Sequence, residues 1–299
     1  MYMNVRIIEP YGFCFGVEKA LETAYQAKKE NPGSQIYILG DLVHNESVTE
    51  KLEQDGFFLL SEKMGSLEKQ LLTVPNESIL VFSAHGHSPK LDEIARKKKL
   101  KIYDATCIFV RKNEKRIAEE IQNRNEVIYI GIRNHAEANA VLGIDSKRVH
   151  LMTPKESFCF SDVHSSSPLV VSQTTMTSDD IFSCEKEIKE KIPNAKFMAK
   201  QCYATEERQK EVILEGENAD AFIVMGGKNS NNTAKLYQEI KNHFPTKKCI
   251  QISSLKEFIG LEKEFMDASE VVLVSGTSTP KEEIFKVYEF LTKHSIKCK

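Results

Sequence analysis

Three cysteines occupy similar surroundings at similar intervals in this chain of 299 residues. Cys14 in YGFCFGV, Cys107 in KIYDATCIFVRK and Cys202 in KFMAKQCYATEERQ each follow a short apolar run and precede a stretch of helical period. They are separated by 93 residues (14 to 107) and by 95 (107 to 202). A thiol beside a helix N-terminus feels the positive end of the dipole, which favours the metal-binding thiolate. The paired C-x-x-C hooks of a zinc ribbon and the clustered cysteines of a ferredoxin are both missing. The spacing instead predicts three similar α/β units of about 95 residues, each giving one thiolate to a shared centre. A [4Fe–4S] cluster, one per chain, on Cys14, Cys107 and Cys202 leaves an open apical iron, which is both an electron source and a Lewis acid. A zinc ion on the same thiolates, in a lyase or hydrolase, is one competing reading. A non-catalytic iron–sulfur sensor of a phosphorylated metabolite is another. Cys159, Cys184, Cys249 and Cys298 read as small core hydrophobes. The odd total of seven, without short spacings, argues against a disulfide framework.

A second set of polar residues lies just past the apolar runs. His44 stands in ILGDLVHNES, His85 in ILVFSAHGHS, His135 and Glu137 in VIYIGIRNHAEA, and Thr174 and Thr175 in LVVSQTT. Ser230, Asn231 and Asn232 stand in FIVMGGKNSNNTAKL, and Ser278 in VVLVSGTSTP. Ligands of open parallel sheets bind outside the carboxyl ends of the strands, so one cavity lined by these residues is expected. Histidines, hydroxyls and amides, with the backbone N–H groups of GGKNSNNT at a helix start, suit phosphate oxygens. A diphosphate is the expected ligand. Glu137 is the expected proton donor, because burial can keep a carboxyl protonated, and Thr174 is the hydroxyl that orients or relays. A water on the apical iron is the competing proton carrier. His87, His150, His164, His243 and His294 lack this setting and read as surface or structural residues.

The elements that must position these groups are short. NVRII, QIYIL, SILVFS, KIYDA, EVIYIGI, PLVVS, AFIVM, KKCIQIS and VVLVS alternate with charged stretches of helical period, which predicts parallel sheets covered by helices on both faces. VEKALETAYQAKKEN closes before Pro32-Gly33, and VRKNEKRIAEEIQNRN places Val110, Ile117 and Ile121 on one side. The fold class is α/β: three similar domains with mainly parallel sheets, spanning 1–104, 105–198 and 199–299. The net charge of −2 and the absence of long single-sign runs argue against a nucleic-acid surface. The longest apolar runs fall far short of the ~20 residues of a membrane-spanning helix, and the N-terminus lacks a signal pattern. A cytoplasmic protein is expected. No G-x-G-x-x-G fingerprint appears, so electrons must come from another protein.

The ordered set GFCFGV, VHN, FSAHG, DATC, HAE, QTT, CYAT, KNSNN and SGTSTP, from about residue 6 to residue 290, resembles the LytB/IspH family. The resemblance implies three α/β domains in pseudo-threefold arrangement around a central [4Fe–4S] cluster on Cys14, Cys107 and Cys202. It implies reductive dehydroxylation of 4-hydroxy-3-methylbut-2-enyl diphosphate to isopentenyl and dimethylallyl diphosphate. The family's diphosphate ligands fall on His44, His85, His135, Ser230, Asn231, Asn232 and Ser278, its acid on Glu137 and its substrate-side threonine on Thr174. A ferredoxin or flavodoxin donor and a monomeric chain are the expected partner and state. Three positions depart from the pattern: Ala136 where proline is usual, Asn231 where serine is common, and Phe15 where alanine is frequent. Each departure leaves the functional side chains in place.

Overall fold

The computed structural model describes residues 3–265 and 267–294; Cys298 and the side chain of His294 lie outside the described residues. Among these described residues, twelve strands fall into three four-stranded sheets. In chain order they are β1 (Asn4–Ile7), β2 (Ile36–Leu39), β3 (Phe57–Leu60), β4 (Ile79–Phe82), β5 (Lys101–Asp104) and β6 (Val127–Ile130). They continue with β7 (Val149–Met152), β8 (Leu169–Ser172), β9 (Lys196–Phe197), β10 (Ala221–Met225), β11 (Lys248–Ile252) and β12 (Glu270–Ser275). The helices are α1 (Phe15–Glu30), α2 (Glu46–Gln54), α3 (Leu67–Thr73), α4 (Pro89–Lys97), α5 (Ile108–Gln122) and α6 (Ala136–Leu142). After them come α7 (Ser178–Lys191), α8 (Tyr203–Glu215), α9 (Asn231–His243), α10 (Leu255–Phe258) and α11 (Lys281–His294). The expected α/β class with parallel sheets is what the chain forms, every strand pairing among the described residues being parallel.

The sheet orders are β3-β2-β4-β5, β7-β6-β8-β9 and β11-β10-β12-β1. Each is the same arrangement, with the first strand beside the third, the second outside the first and the fourth outside the third. In the last sheet the fourth place is taken by β1, from the opposite end of the chain, so the strand before Cys14 pairs with β12. The apolar runs of the sequence account for nine strands. The other three, β3, β7 and β9, are edge strands, of which β3 carries FFLL, β7 carries VHLM and β9 only two residues. The polar His150 interrupts β7 and β9 is too short to show a pattern, whereas the wholly apolar FFLL of β3 is a strand that the sequence reading passed over.

Central strands are buried on both faces: ILVF, VIYI, LVVS and AFIVM are each buried at every position. Alternate residues of β6 serve opposite cores, Val127 and Tyr129 packing with Ile117 of α5 and Val141 of α6, and Ile128 and Ile130 with Ile181 and Ile188 of α7. In β10, Ile223 packs with Ile284 and Val287 of α11, whereas Phe222 and Val224 pack with Val212 of α8 and Leu236 of α9. This two-sided cover is what near-continuous apolar strands require.

By their contacts the residues divide into two units. The first comprises residues up to Val17, His44–Glu50 and those from Tyr203 on; the second comprises Glu18–Val43 and Lys51–Cys202. No helix of the described residues is long and apolar enough to cross a membrane.

Candidate active site

The strand order explains where the singled-out residues fall. In each sheet the first and third strands are neighbours, and the chain leaves them toward opposite edges, which opens a crevice at their carboxyl ends. His44, His135 and Ser230 each stand five residues beyond a first strand, β2, β6 or β10 (39 to 44, 130 to 135, 225 to 230). His85, Thr175 and Ser278 each stand three beyond a third strand, β4, β8 or β12 (82 to 85, 172 to 175, 275 to 278).

The cysteines share one local geometry. Each precedes a helix, Cys14 before α1, Cys107 as the N-cap residue of α5, and Cys202 before α8. Each also donates its backbone N–H to the carbonyl of the residue two past a third strand: Cys14 to Thr277 (2.9 Å), Cys107 to Ala84 (3.0 Å) and Cys202 to Thr174 (3.0 Å). All three are half-buried, and none is in a disulfide. The residues that follow them, Phe15, Ile108 and Tyr203, are exposed, so the departure at Phe15 places no ring in the core. Cys14 belongs to the first unit, Cys107 and Cys202 to the second. Among the described residues no group of three or more His, Cys, Asp or Glu side chains forms a metal-holding cluster. Cys184 and Cys249 are buried, and burial pushes both thiols up to about 12, as core residues should be. Cys159 is not core: it is exposed, with its Sγ 3.1 Å from Ser161 Oγ.

In the second unit the acid and the hydroxyl meet. Glu137 is 1 % exposed. Its carboxylate accepts from the Tyr129 hydroxyl (3.0 Å), the Thr174 backbone N–H (3.0 Å to Oε1) and the Thr174 hydroxyl (2.8 Å). Burial pushes its carboxyl up to about 7, against the pull of these three donors, while the Tyr129 hydroxyl is raised well above its ordinary range. Thr174 therefore links two candidates, since its N–H and hydroxyl serve Glu137 and its carbonyl takes the N–H of Cys202. His135 caps α6, its Nδ1 accepting from the Glu137 N–H (3.1 Å), so the start of the helix is fixed although Ala136 stands where proline is usual. The His85 ring lies edge-on to His135, centroids 5.8 Å apart.

In the first unit Ser230 caps α9, its Oγ accepting from the Thr233 N–H, and Asn231 opens that helix. Asn232, buried, accepts from the Thr277 N–H (2.9 Å) and donates to Thr205 Oγ1 (3.0 Å). The Ser278 hydroxyl donates to the His44 carbonyl (3.1 Å). Gly227 permits this approach, because a Cβ there would lie 2.7 Å from the same carbonyl oxygen.

Three residues of these sites carry no signal in the sequence reading. Tyr129 reads as one more apolar position of VIYIG. Arg208, in the charged run ATEERQKE, is buried, and its guanidinium bonds to the carbonyls of Gly12, Ser275 and Gly276. Glu114 on α5 accepts from the His87 N–H (3.2 Å), and burial pushes its carboxyl up to about 7. Only the fold shows that Tyr129 and Arg208 are inside and that Glu114 is half-buried.

The family model described as LytB protein matches residues 5–292. A 4-hydroxy-3-methylbut-2-enyl diphosphate reductase of Anoxybacillus flavithermus is 35% identical over 292 residues, covering 97% of this chain and 90% of that protein. The solved E-1-hydroxy-2-methyl-but-2-enyl-4-diphosphate reductase of Plasmodium falciparum superposes with a TM-score of 0.86 at 29% identity, over 98% of this chain and 89% of that one. A second solved structure, of (E)-4-hydroxy-3-methyl-but-2-enyl diphosphate reductase, the terminal enzyme of the non-mevalonate pathway, gives 0.65 at 26% identity, over 99% of both chains.

Proposed function

The chain belongs to the LytB protein family, and on that premise we propose that it reduces 4-hydroxy-3-methylbut-2-enyl diphosphate to isopentenyl and dimethylallyl diphosphate, the last step of the non-mevalonate pathway. The net change takes up two electrons and two protons, replaces a C–O bond by a C–H bond, and releases water. Members of this family are iron–sulfur enzymes. Our finer reading is one [4Fe–4S] cluster on Cys14, Cys107 and Cys202 with an open apical iron. The donor chemistry fits such a group: three cysteines outside any disulfide in one repeated geometry, and in the first unit the buried guanidinium of Arg208, whose Nε has no hydrogen-bond partner. When bound, the cluster supplies electrons one at a time.

The chain's own residues do the rest. The observation that carries the reading is the buried Glu137, bonded to Thr174, whose carbonyl in turn holds the N–H of Cys202. A carboxyl that ionises near 7 is protonated in a large fraction of molecules at neutral pH, and is matched to giving up that proton. A hydroxyl can accept one proton while donating its own, so Thr174 Oγ1, 2.8 Å from Glu137 Oε2, relays the proton toward the leaving hydroxyl. His44, His85, His135, Ser230, Asn231, Asn232 and Ser278 bind the diphosphate. Binding energy from that tail then serves to orient the reacting end. The protein works under this reading as a cytoplasmic monomer supplied by ferredoxin or flavodoxin.

The test is anaerobic turnover of the iron-reconstituted protein with a reduced viologen, products being identified by mass. Both five-carbon diphosphates are expected. Glu137→Gln should keep its iron and lose turnover by roughly 10²–10⁴-fold; a wild-type rate in that variant would remove Glu137 from the acid role.

A further inference from the structure

We propose that Arg208 is a positioning residue whose buried charge offsets the Cys14 thiolate and raises the reduction potential of the cluster held there. The proposal rests on the reading of Cys14 as a cluster ligand.

Arg208 is 5 % exposed. Its Nη2 donates to the Gly12 carbonyl (2.7 Å), two residues before Cys14. Its Nη1 donates to the Ser275 carbonyl (2.8 Å), the Ser275 Oγ (3.0 Å) and the Gly276 carbonyl (3.1 Å). The Gly12 N–H donates to the same Ser275 Oγ (3.1 Å), and the Cys14 N–H to the Thr277 carbonyl. One guanidinium thus ties the loop before Cys14 to the loop after β12, and the position of Cys14 follows from both. The planar fork of arginine suits this task, since it reaches carbonyls on two segments at once.

These bonds do not balance the charge. Arg208 forms no ion pair among the described residues, and its Nε has no partner. The groups whose charge would act on the Arg208 guanidinium are Cys14, when it is a thiolate, and more weakly Glu207, whose carboxylate takes the Tyr203 hydroxyl. A buried cation without an anion is costly, and its bonds to neutral carbonyls and a hydroxyl leave the charge itself unbalanced. A thiolate carrying a cluster with three sulfur ligands supplies the missing negative charge. Reduction adds one more, so a fixed cation nearby favours the reduced form, and the potential rises.

The experiment compares the wild type with Arg208→Lys, Arg208→Gln and Arg208→Met, each reconstituted anaerobically. It measures the midpoint potential of the cluster by spectroelectrochemistry and the rate of iron loss to a chelator. Arg208→Lys keeps the charge and should keep a potential near the wild type. Arg208→Gln and Arg208→Met are neutral and should shift to lower potential, and iron loss should speed up roughly 10–100-fold. Should Arg208→Met not fold, Arg208→Gln retains donors for the carbonyls and decides the matter. A merely structural role would alter melting temperature while leaving Lys and Gln clusters at the wild-type potential, and that result would overturn the proposal. A wild type that assembles no cluster overturns the ligand reading first and this proposal with it.

Discussion

Glu137 shows how one side chain is given its chemistry by its surroundings. Its carboxyl is raised from 4.5 to about 7 because burial disfavours the anion more than its donors favour it. The folded chain therefore holds this proton more tightly than the unfolded chain. The resulting stabilisation is present in full below about pH 4.5 and is lost as pH rises through 7, by about 3 kcal/mol at most. Glu137→Gln should flatten denaturant-measured stability across that window; an unchanged slope would mean that Glu137 ionises normally. Tyr129→Phe removes one of the donors that lower this pKa. It should cost about 1 kcal/mol and move the alkaline limb of viologen-driven turnover to higher pH, because the acid then keeps its proton longer. A limb that stays in place would sever Tyr129 from the reaction.

Loops and helix ends carry the site, and their lengths repeat. First strands deliver His44, His135 and Ser230 after the same five-residue step, and two of these side chains cap the following helix. The step leaves little slack. At Gly227 the backbone passes so near the His44 carbonyl that an alanine Cβ would lie 2.7 Å from its oxygen and 2.8 Å from Glu46 Oε2. Gly227→Ala must therefore push the His44 segment away and strain the Ser278 bond to it. We expect KM for the diphosphate to rise severalfold, with stability falling by roughly 1–3 kcal/mol. Wild-type KM in this variant would show that the His44 loop tolerates the shift.

At the scale of the molecule, the three sheets of the described residues repeat one strand order, and the third is completed by the first strand. Val5 of β1 belongs to the same core as Ile223, Leu273 and Ile284. A fragment of residues 199–299 thus presents an unpaired β12 edge and an incomplete core. It should remain unfolded by circular dichroism until a peptide covering residues 1–17 is added; cooperative unfolding of the fragment alone would refute this. The α/β class, the spacing of the cysteines and the placing of polar residues past apolar strands were all legible in the sequence. Periodicity and strand-end position are local properties, and NVRII, VIYIG or AFIVM carry them within a few residues. That β1 closes the last sheet, that Arg208 lies inside and Glu114 is half-buried, and that the Tyr129 hydroxyl meets Glu137 were not legible. Each depends on segments far apart in the chain, and a charged residue in a helical run reads the same whether its side chain faces water or carbonyls. The sequence by itself determined which groups are available for chemistry; the tertiary structure decided which of them lose their water, and with it their ordinary proton affinity and charge balance.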